Sequence, residues 1–234
     1  MCRLHCSGHA PATLADDGIR TLRLTGAGAL NIVGSTQIAE LRAALLGLSA
    51  EPALGVLVLR GSGERAFIGR AGIGETATLN PATAGAFNTG LAALCDAVAE
   101  VPVIASLFGW WLGGGLEVAL ACDVRLCDED AMFGMPEIKV GIPPVIHAAL
   151  LPRRLGHACA DWLLLTCENI AAARVEAWGL RPGARALRRR RAGRTGAAAG
   201  RRAGRAAAGA TPAEAAAAPL ADRAADAGGA RQHR

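Results

Sequence analysis

Several common sequence signals are missing from this chain of 234 residues. No stretch of about 18 or more apolar residues lacks charges or glycines, so the sequence predicts no membrane span. The first residues, Met1 to His5, contain no apolar segment of the kind that a secretory signal needs. The seven cysteines form no CxxC pair, which argues against a zinc knuckle. Their odd number and scattered positions are typical of reduced thiols, so we expect a cytoplasmic protein.

Signals for nucleotide or nucleic-acid binding are also weak. The segment Gly26-x-Gly28 contains too few glycines for a dinucleotide-binding fingerprint. The segment 61–63 is not followed by the GK[ST] sequence of a phosphate loop. The run Arg188 to Arg191 carries the charge that would attract nucleic acid or anionic lipid. No aromatic residue lies among the arginines to stack on bases, so we expect no specific nucleic-acid partner.

The charge divides the chain into two regions. Residues 1–180 carry a net charge of −5, whereas residues 181–234 carry +10. The second region holds 21 Ala, 13 Arg and 8 Gly, and Leu187 and Leu220 are its only large apolar residues. Such a segment buries too little apolar surface to offset its ordering entropy. We therefore predict one domain over residues 1–180 and a disordered or loosely helical tail over 181–234.

A shift of the reading frame near Leu180 is one explanation for the tail. Arg, Ala, Gly and Pro all have G/C-rich codons, and the chain contains only one lysine, Lys139, among its 25 basic residues. Family-like helices encoded in another frame of the gene would support this hypothesis.

Within residues 1–180, strand and helix patterns alternate. Apolar and polar residues alternate over residues 18–24, as in a half-buried strand. Residues 35–49 have a helical apolar period, with Ser35 as the expected N-cap. A second helix is predicted from Asn80-Pro81 to about Glu100. Residues 54–59 and 101–107 are apolar runs typical of strands that are covered on both faces. The alternation predicts an α/β fold.

Two glycine-rich segments each follow a buried strand. They are residues 66–75 and the run Gly113-Gly114-Gly115-Leu116-Glu117, where a helix is predicted to begin. Glycine lets a ligand approach the backbone closely, and a helix N-terminus adds positive partial charge. Together the two segments suit an oxyanion hole, which needs two N–H donors directed at one oxygen.

Two glutamates are candidates for proton transfer. Glu117 follows the second glycine run, and Glu137 ends the segment Phe133-Gly134-Met135-Pro136-Glu137, which is predicted to be a loop. If the helix brings both into one cleft, one carboxylate can accept a proton while the other donates one. His147, Trp110 and Trp111 lie nearby in sequence, but for these residues we expect packing roles.

These segments in this order resemble the crotonase (enoyl-CoA hydratase/isomerase) superfamily. The family motif G-G-G-x-E-[LV]-A-L-A-C-D corresponds to Gly113 through Asp123. The motif A-F-x-x-G-A-D corresponds to Ala66 through Gly72, and F-G-x-P-E corresponds to Phe133 through Glu137. Residues 163–168 and 177–180 match two later stretches of the family, so the resemblance covers about residues 15–180.

The resemblance implies a fold of ββα turns and a role for each matching residue. The N–H groups of Ala71 and Gly114 would bind the thioester oxygen. Glu117 would activate water for attack at Cβ, and Glu137 would deliver a proton to Cα. The residues expected to line the substrate site are Ala66, Ile68, Gly69, Arg70, Ile73, Gly113, Pro136 and Gly141. The resemblance also implies a coenzyme A thioester as substrate, no metal, no separate cofactor, and a homotrimer or a hexamer of trimers.

The chain departs from the family pattern at Arg70, Gly72 and Pro144 and in its C-terminal region. Arg70 stands where the family has glycine, and it would narrow the entrance for coenzyme A or pair with one of its phosphates. The family's C-terminal helices are not recognisable after Leu180. Both glutamates favour an enoyl-CoA hydratase, while an isomerase, another acyl-CoA enzyme of the same fold, or an inactive crotonase-like protein remain alternatives.

Overall fold

The computed structural model describes residues 12–14, 18–71, 81–140 and 150–179. The strands are β1 (Ala12–Leu14), β2 (Ile19–Leu24), β3 (Val56–Gly61), β4 (Ala66–Ile68), β5 (Val103–Leu107), β6 (Trp110–Leu112), β7 (Val124–Cys127), β8 (Met132–Gly134) and β9 (Ile170–Ala171). The helices are α1 (Ser35–Ser49), α2 (Pro81–Ala99), α3 (Gly114–Ala121), a 3-10 helix (Glu137–Val140), α4 (Leu150–Leu155), α5 (His157–Thr166) and α6 (Ala172–Ala177).

The strands form two sheets. The five-stranded sheet has the order β1-β2-β3-β5-β7, and its strands are parallel except for β1. The four-stranded sheet has the order β4-β6-β8-β9, and its strands are parallel except for β9. From β3 to β8, consecutive strands of the chain, such as β5 and β6, alternate between the two sheets.

This topology is a repeat of two strands and a helix. β3 and β4 precede α2, and β5 and β6 precede α3. The first strand of each pair joins the larger sheet, and the second strand joins the smaller one. Each turn thus adds one strand to both sheets, and the neighbours in each sheet are equivalent strands of successive turns. The α/β fold of ββα turns expected from the sequence is confirmed.

The core follows from the apolar patterns. The apolar stripe of α1 is buried, as predicted, and so is that of α2: Ile38, Leu41, Leu45, Leu48, Phe87, Leu91, Leu94 and Val98. In β3, Leu57 and Leu59 join this main core, whereas Val56 and Val58 join a second cluster with Ile104. The apolar run of β3 is therefore covered on both faces, as expected for a parallel strand in an α/β protein.

Some local predictions are wrong. Ser35 is the first residue of α1 rather than its cap; Gly34 is the N-cap, and its N–H donates to Oε1 of Gln37 at 2.9 Å. Glu137 begins a 3-10 helix instead of lying in a loop. Trp111 is buried in β6, which agrees with its expected packing role. His147 lies outside the described residues, as do residues 180–234, so the tail and the missing helices stay predictions.

Among the residues that the structure describes, no helix has the length and apolar character needed to cross a membrane.

Candidate active site

Three chain segments meet at the carboxyl ends of β4, β6 and β8. These strands are parallel neighbours in the smaller sheet, so the residues that follow them emerge at the same edge. Ala71 follows β4, Gly113 follows β6, and Glu137 follows β8. The N–H of Gly113 donates to the carbonyl of Gly134 at 2.9 Å, which fixes two of these segments against each other. The fold thus brings together Ala71 and Glu137, which lie 66 positions apart in the sequence.

Glu137 packs directly against Gly113. A methyl group at Gly113 would lie 1.9 Å from Oε1 of Glu137, so a side chain here would displace this carboxylate from its position. Gly113 also has φ 55° and ψ −124°, a conformation that side-chain-bearing residues rarely adopt. Both observations explain why the chain has glycine at this position.

Gly114 has Ala71 on one side and Glu117 on another. A methyl group at Gly114 would lie 2.6 Å from Cβ of Ala71 and 3.9 Å from Oε2 of Glu117. It would also lie 2.8 Å from Leu91 of α2, a contact that sequence patterns do not predict. The two predicted N–H donors and the two glutamates are therefore grouped around two consecutive glycines.

Secondary structure orients the backbone N–H groups of Gly114 and Ala71. Gly114 is the first residue of α3, and the first N–H groups of a helix have no partner within the helix. Ala71 forms a parallel bridge with Val33, in which the N–H of Val33 donates to the carbonyl of Arg70 at 3.1 Å. In a parallel bridge of this kind, Val33 forms its hydrogen bonds with the neighbours of Ala71 and not with Ala71 itself. The N–H of Ala71 therefore points away from Val33.

Burial changes the acidity of Glu137. Its pKa is raised to about 7, first by desolvation and also by the negative charge of Glu117. A hydrogen bond from its own backbone and the positive charge of Arg70 act in the opposite direction. Oε2 of Glu137 is buried and accepts no hydrogen bond from the described residues. Glu117 is only 4% exposed and lies in the first turn of a helix that is buried from Gly114 to Leu120.

Asn31 holds the segment that carries Ala71. Asn31 is buried and left-handed (φ 51°), and its amide donates to the carbonyls of Leu24 and Phe67. Its Oδ1 accepts a hydrogen bond from the N–H of Gly26. Three chain segments are therefore joined through one side chain, which the sequence alone did not single out.

We expect Asn31→Ala to lower the free energy of unfolding by about 2–4 kcal/mol. The change leaves buried backbone groups without partners and places alanine in a left-handed conformation. Urea unfolding followed by circular dichroism measures the effect. Ser62→Ala, which removes only one 3.3 Å contact to Asn31, is the control and should cost less than about 1 kcal/mol. Equal losses for the two variants would contradict this interpretation.

The remaining predicted site residues have different positions. Ala66 and Ile68 lie in β4 and are fully buried, so the structure does not expose either residue to a ligand. Gly69 is also buried, and its N–H donates to the carbonyl of Leu30 at 2.8 Å. Arg70 and Pro136 are half-buried beside the two glutamate-bearing segments.

Two of the predicted residues, Ile73 and Gly141, lie outside the described residues. Within the described part of the chain, no three His, Cys, Asp or Glu side chains are grouped so that they could hold a metal ion.

Comparison with known proteins supports a common origin with hydratases. The chain is 35% identical over 148 residues to a crotonyl-CoA hydratase of Syntrophomonas wolfei, covering 62% of this chain and 56% of that protein. It is 38% identical over 161 residues to a probable enoyl-CoA hydratase of Rhizobium meliloti, covering 65% and 59% respectively. The chain thus spans less than two thirds of the length of these relatives.

Solved structures share the fold. An enoyl-CoA hydratase of Bacillus anthracis superimposes with a TM-score of 0.79 at 26% identity, covering 84% of this chain and 76% of that one. An enoyl-CoA hydratase/carnithine racemase of Magnetospirillum magneticum gives a TM-score of 0.80 at 28% identity, covering 94% and 85%. The family model described as enoyl-CoA hydratase/isomerase matches residues 15–184. The chain therefore belongs to the enoyl-CoA hydratase/isomerase family, in the crotonase superfamily.

Proposed function

We propose that this protein is an enoyl-CoA hydratase, which adds water across the 2,3 double bond of a 2-enoyl-CoA thioester. One observation carries the proposal: the carboxylates of Glu117 and Glu137 lie against the consecutive residues Gly114 and Gly113. The two glycines at the start of α3 thus each lie beside one carboxyl group able to accept or donate a proton. An addition of water needs this combination of an oxyanion donor, a base and an acid.

The proposed reaction proceeds through an enolate. The thioester oxygen accepts hydrogen bonds from the N–H groups of Ala71 and Gly114. Glu117 takes a proton from water, whose oxygen forms a bond to Cβ. The electrons of the double bond move onto the thioester oxygen, where the two N–H groups stabilise the charge. Protonated Glu137 then gives its proton to Cα, and the product is a 3-hydroxyacyl-CoA.

The electrostatics support different roles for the two carboxyl groups. A general acid works best when its pKa is close to the working pH, and the pKa of Glu137 is raised to about 7. An ordinary exposed glutamate would be almost fully ionised at that pH and would have no proton to give. The proposed reaction needs no metal and no cofactor beyond the coenzyme A of the substrate. We also propose that the chain assembles into a homotrimer or hexamer.

Hydration of crotonyl-CoA tests the proposal. Loss of the absorbance of the conjugated enoyl-thioester, together with formation of 3-hydroxybutyryl-CoA, is the expected result for the purified full chain. Product analysis by mass spectrometry separates hydration, which adds the mass of water, from isomerisation, which leaves the mass unchanged. A folded protein that binds acyl-CoA and forms no hydrated product would overturn the proposal in favour of another acyl-CoA reaction or an inactive protein.

Arg70 should influence the pH dependence of the reaction. Its positive charge lowers the pKa of Glu137, so Arg70→Gln should raise that pKa further above its ordinary value. Because Glu137 acts as the acid, activity should fall as the pH rises through this pKa. The alkaline limb of the kcat profile should therefore move to higher pH in Arg70→Gln. Arg42→Gln, an exposed change on α1, should leave the limb in place. A shift towards lower pH in Arg70→Gln would contradict the assignment of Glu137 as the acid.

A further inference from the structure

A buried arginine lies at the far end of the helix that carries Gly114 and Glu117. Arg125 is in β7 and is 8% exposed. Its Nη1 donates to the carbonyl of Cys122 at 2.6 Å and to that of Ala119 at 3.4 Å. Both carbonyls belong to the C-terminal end of α3, whose C-cap is Cys122. Arg125 therefore contacts the active-site helix at the end opposite the site.

The end of α3 needs such a donor. The last carbonyls of a helix have no partner within it, and because Val118, Ala119, Leu120 and Cys122 are buried, their carbonyls need donors from the protein itself. The thiol of Cys122 donates to the carbonyl of Val118 at 3.3 Å, and Arg125 supplies the other contacts described above. The side chain of Asp123 accepts the N–H of Val103 at 2.8 Å and ties the exit of the helix to β5.

The position of the C-terminal end of α3 determines the position of the residues at its other end. α3 has eight residues, which corresponds to a length of about 12 Å, and a helix this short moves as a rigid body. Its other end abuts Ala71 and Leu91, which would lie 2.6 and 2.8 Å from a methyl group at Gly114. A change in how the C-terminal end is held therefore moves the Gly114 N–H and the Glu117 carboxylate together.

We propose that Arg125 is a positioning residue, which sets the location of α3 so that the Gly114 N–H and Glu117 face the same substrate atoms as Ala71 and Glu137. The inference rests on the proposed hydratase function. A cation at a helix C-terminus is also favourable for the helix dipole.

Arg125 is not explained by stability alone. Burial and the nearby charge of Arg154 lower its pKa, and its Nε is buried without a hydrogen-bond partner. A buried cation held in this way contributes little net stability, and an apolar residue of similar volume is often tolerated in its place. A positioning role, in contrast, requires the two contacts from the guanidinium.

The test compares Arg125→Met and Arg125→Lys with the control Arg154→Met, which removes an exposed neighbouring charge. Arg125→Met should lower kcat for crotonyl-CoA by about 10- to 100-fold, because small displacements of catalytic groups have effects of this size. KM should change by less than about twofold, since the oxyanion contact matters most in the transition state. Arg125→Lys should recover part of kcat, and Arg154→Met should match the wild type.

Amide hydrogen exchange provides a readout that does not depend on activity. In Arg125→Met, exchange should become faster in peptides covering residues 113–122 and stay unchanged in α1. A wild-type protein without hydratase activity would defeat the proposed function, while the exchange experiment would still test the positioning role. Unchanged kcat per folded molecule, or faster exchange spread evenly over the chain, would overturn the inference.

Discussion

Glu117→Gln and Glu137→Gln should each lower kcat for crotonyl-CoA hydration by about 10²- to 10⁴-fold, the usual contribution of a general acid or base. Glutamine keeps the size of the side chain and removes its ability to exchange a proton. In Glu117→Gln the attacking water keeps its proton, and in Glu137→Gln the enolate receives none at Cα. Stopped-flow or steady-state absorbance of the enoyl-thioester measures both variants.

The two variants should also differ in pH dependence. Loss of Glu137 removes the group whose pKa is raised to about 7, so the residual activity of Glu137→Gln should lack the decline on the alkaline side. Glu117→Gln removes a negative charge that raises the pKa of Glu137, so its alkaline limb should move to lower pH. Glu129→Gln, on an exposed turn, is the control and should keep wild-type activity. A normal kcat in either active-site variant would exclude a mechanism with two carboxylates.

Gly113→Ala should lower kcat by about 10²-fold or more. The added methyl group would lie 1.9 Å from Oε1 of Glu137, so the carboxylate must move away from its position against Gly113. The backbone at Gly113, with φ 55° and ψ −124°, adds a strain of about 1–3 kcal/mol for a residue with a side chain. Both the activity and the free energy of unfolding should therefore fall, and they can be measured on the same preparation.

Gly47→Ala is the matched control for this substitution. Gly47 lies in α1, and a methyl group there meets no atom within 4 Å. Alanine should therefore stabilise the helix by about 0.5–1 kcal/mol without changing kcat. If Gly113→Ala behaves like Gly47→Ala, the close packing of Glu137 on the glycine is not needed for the reaction.

The long elements were predictable because their patterns are local. The helix over 35–49 was predictable to within one residue at its start, since Ile38, Leu41, Leu45 and Leu48 repeat at helical spacing along one face. The buried strands β3 and β5 were predictable as apolar runs, with ends that differ from the observed ones by up to two residues. The smaller sheet was not predicted, because β4, β6 and β8 have three residues each and are too short to show a period.

The candidate site was predictable as a set of residues but not as a geometry. Resemblance to a family singled out Ala71, Gly114, Glu117 and Glu137 from motifs in the sequence. Only the parallel pairing of β4, β6 and β8 brings the segments after these strands to one edge. Supporting contacts such as Leu91 against Gly114, or Asn31 between three segments, follow from packing between distant parts of the chain.

The amino-acid sequence by itself determined the fold class, the long helices, the buried strands and the identity of the glycine and glutamate residues, because each depends on neighbours along the chain. Tertiary structure decided that Glu137 lies against Gly113, that its pKa is raised to about 7, and that Arg125 holds the far end of α3. These properties depend on burial and on contacts between segments far apart in sequence. Desolvation and packing act only once those segments have come together.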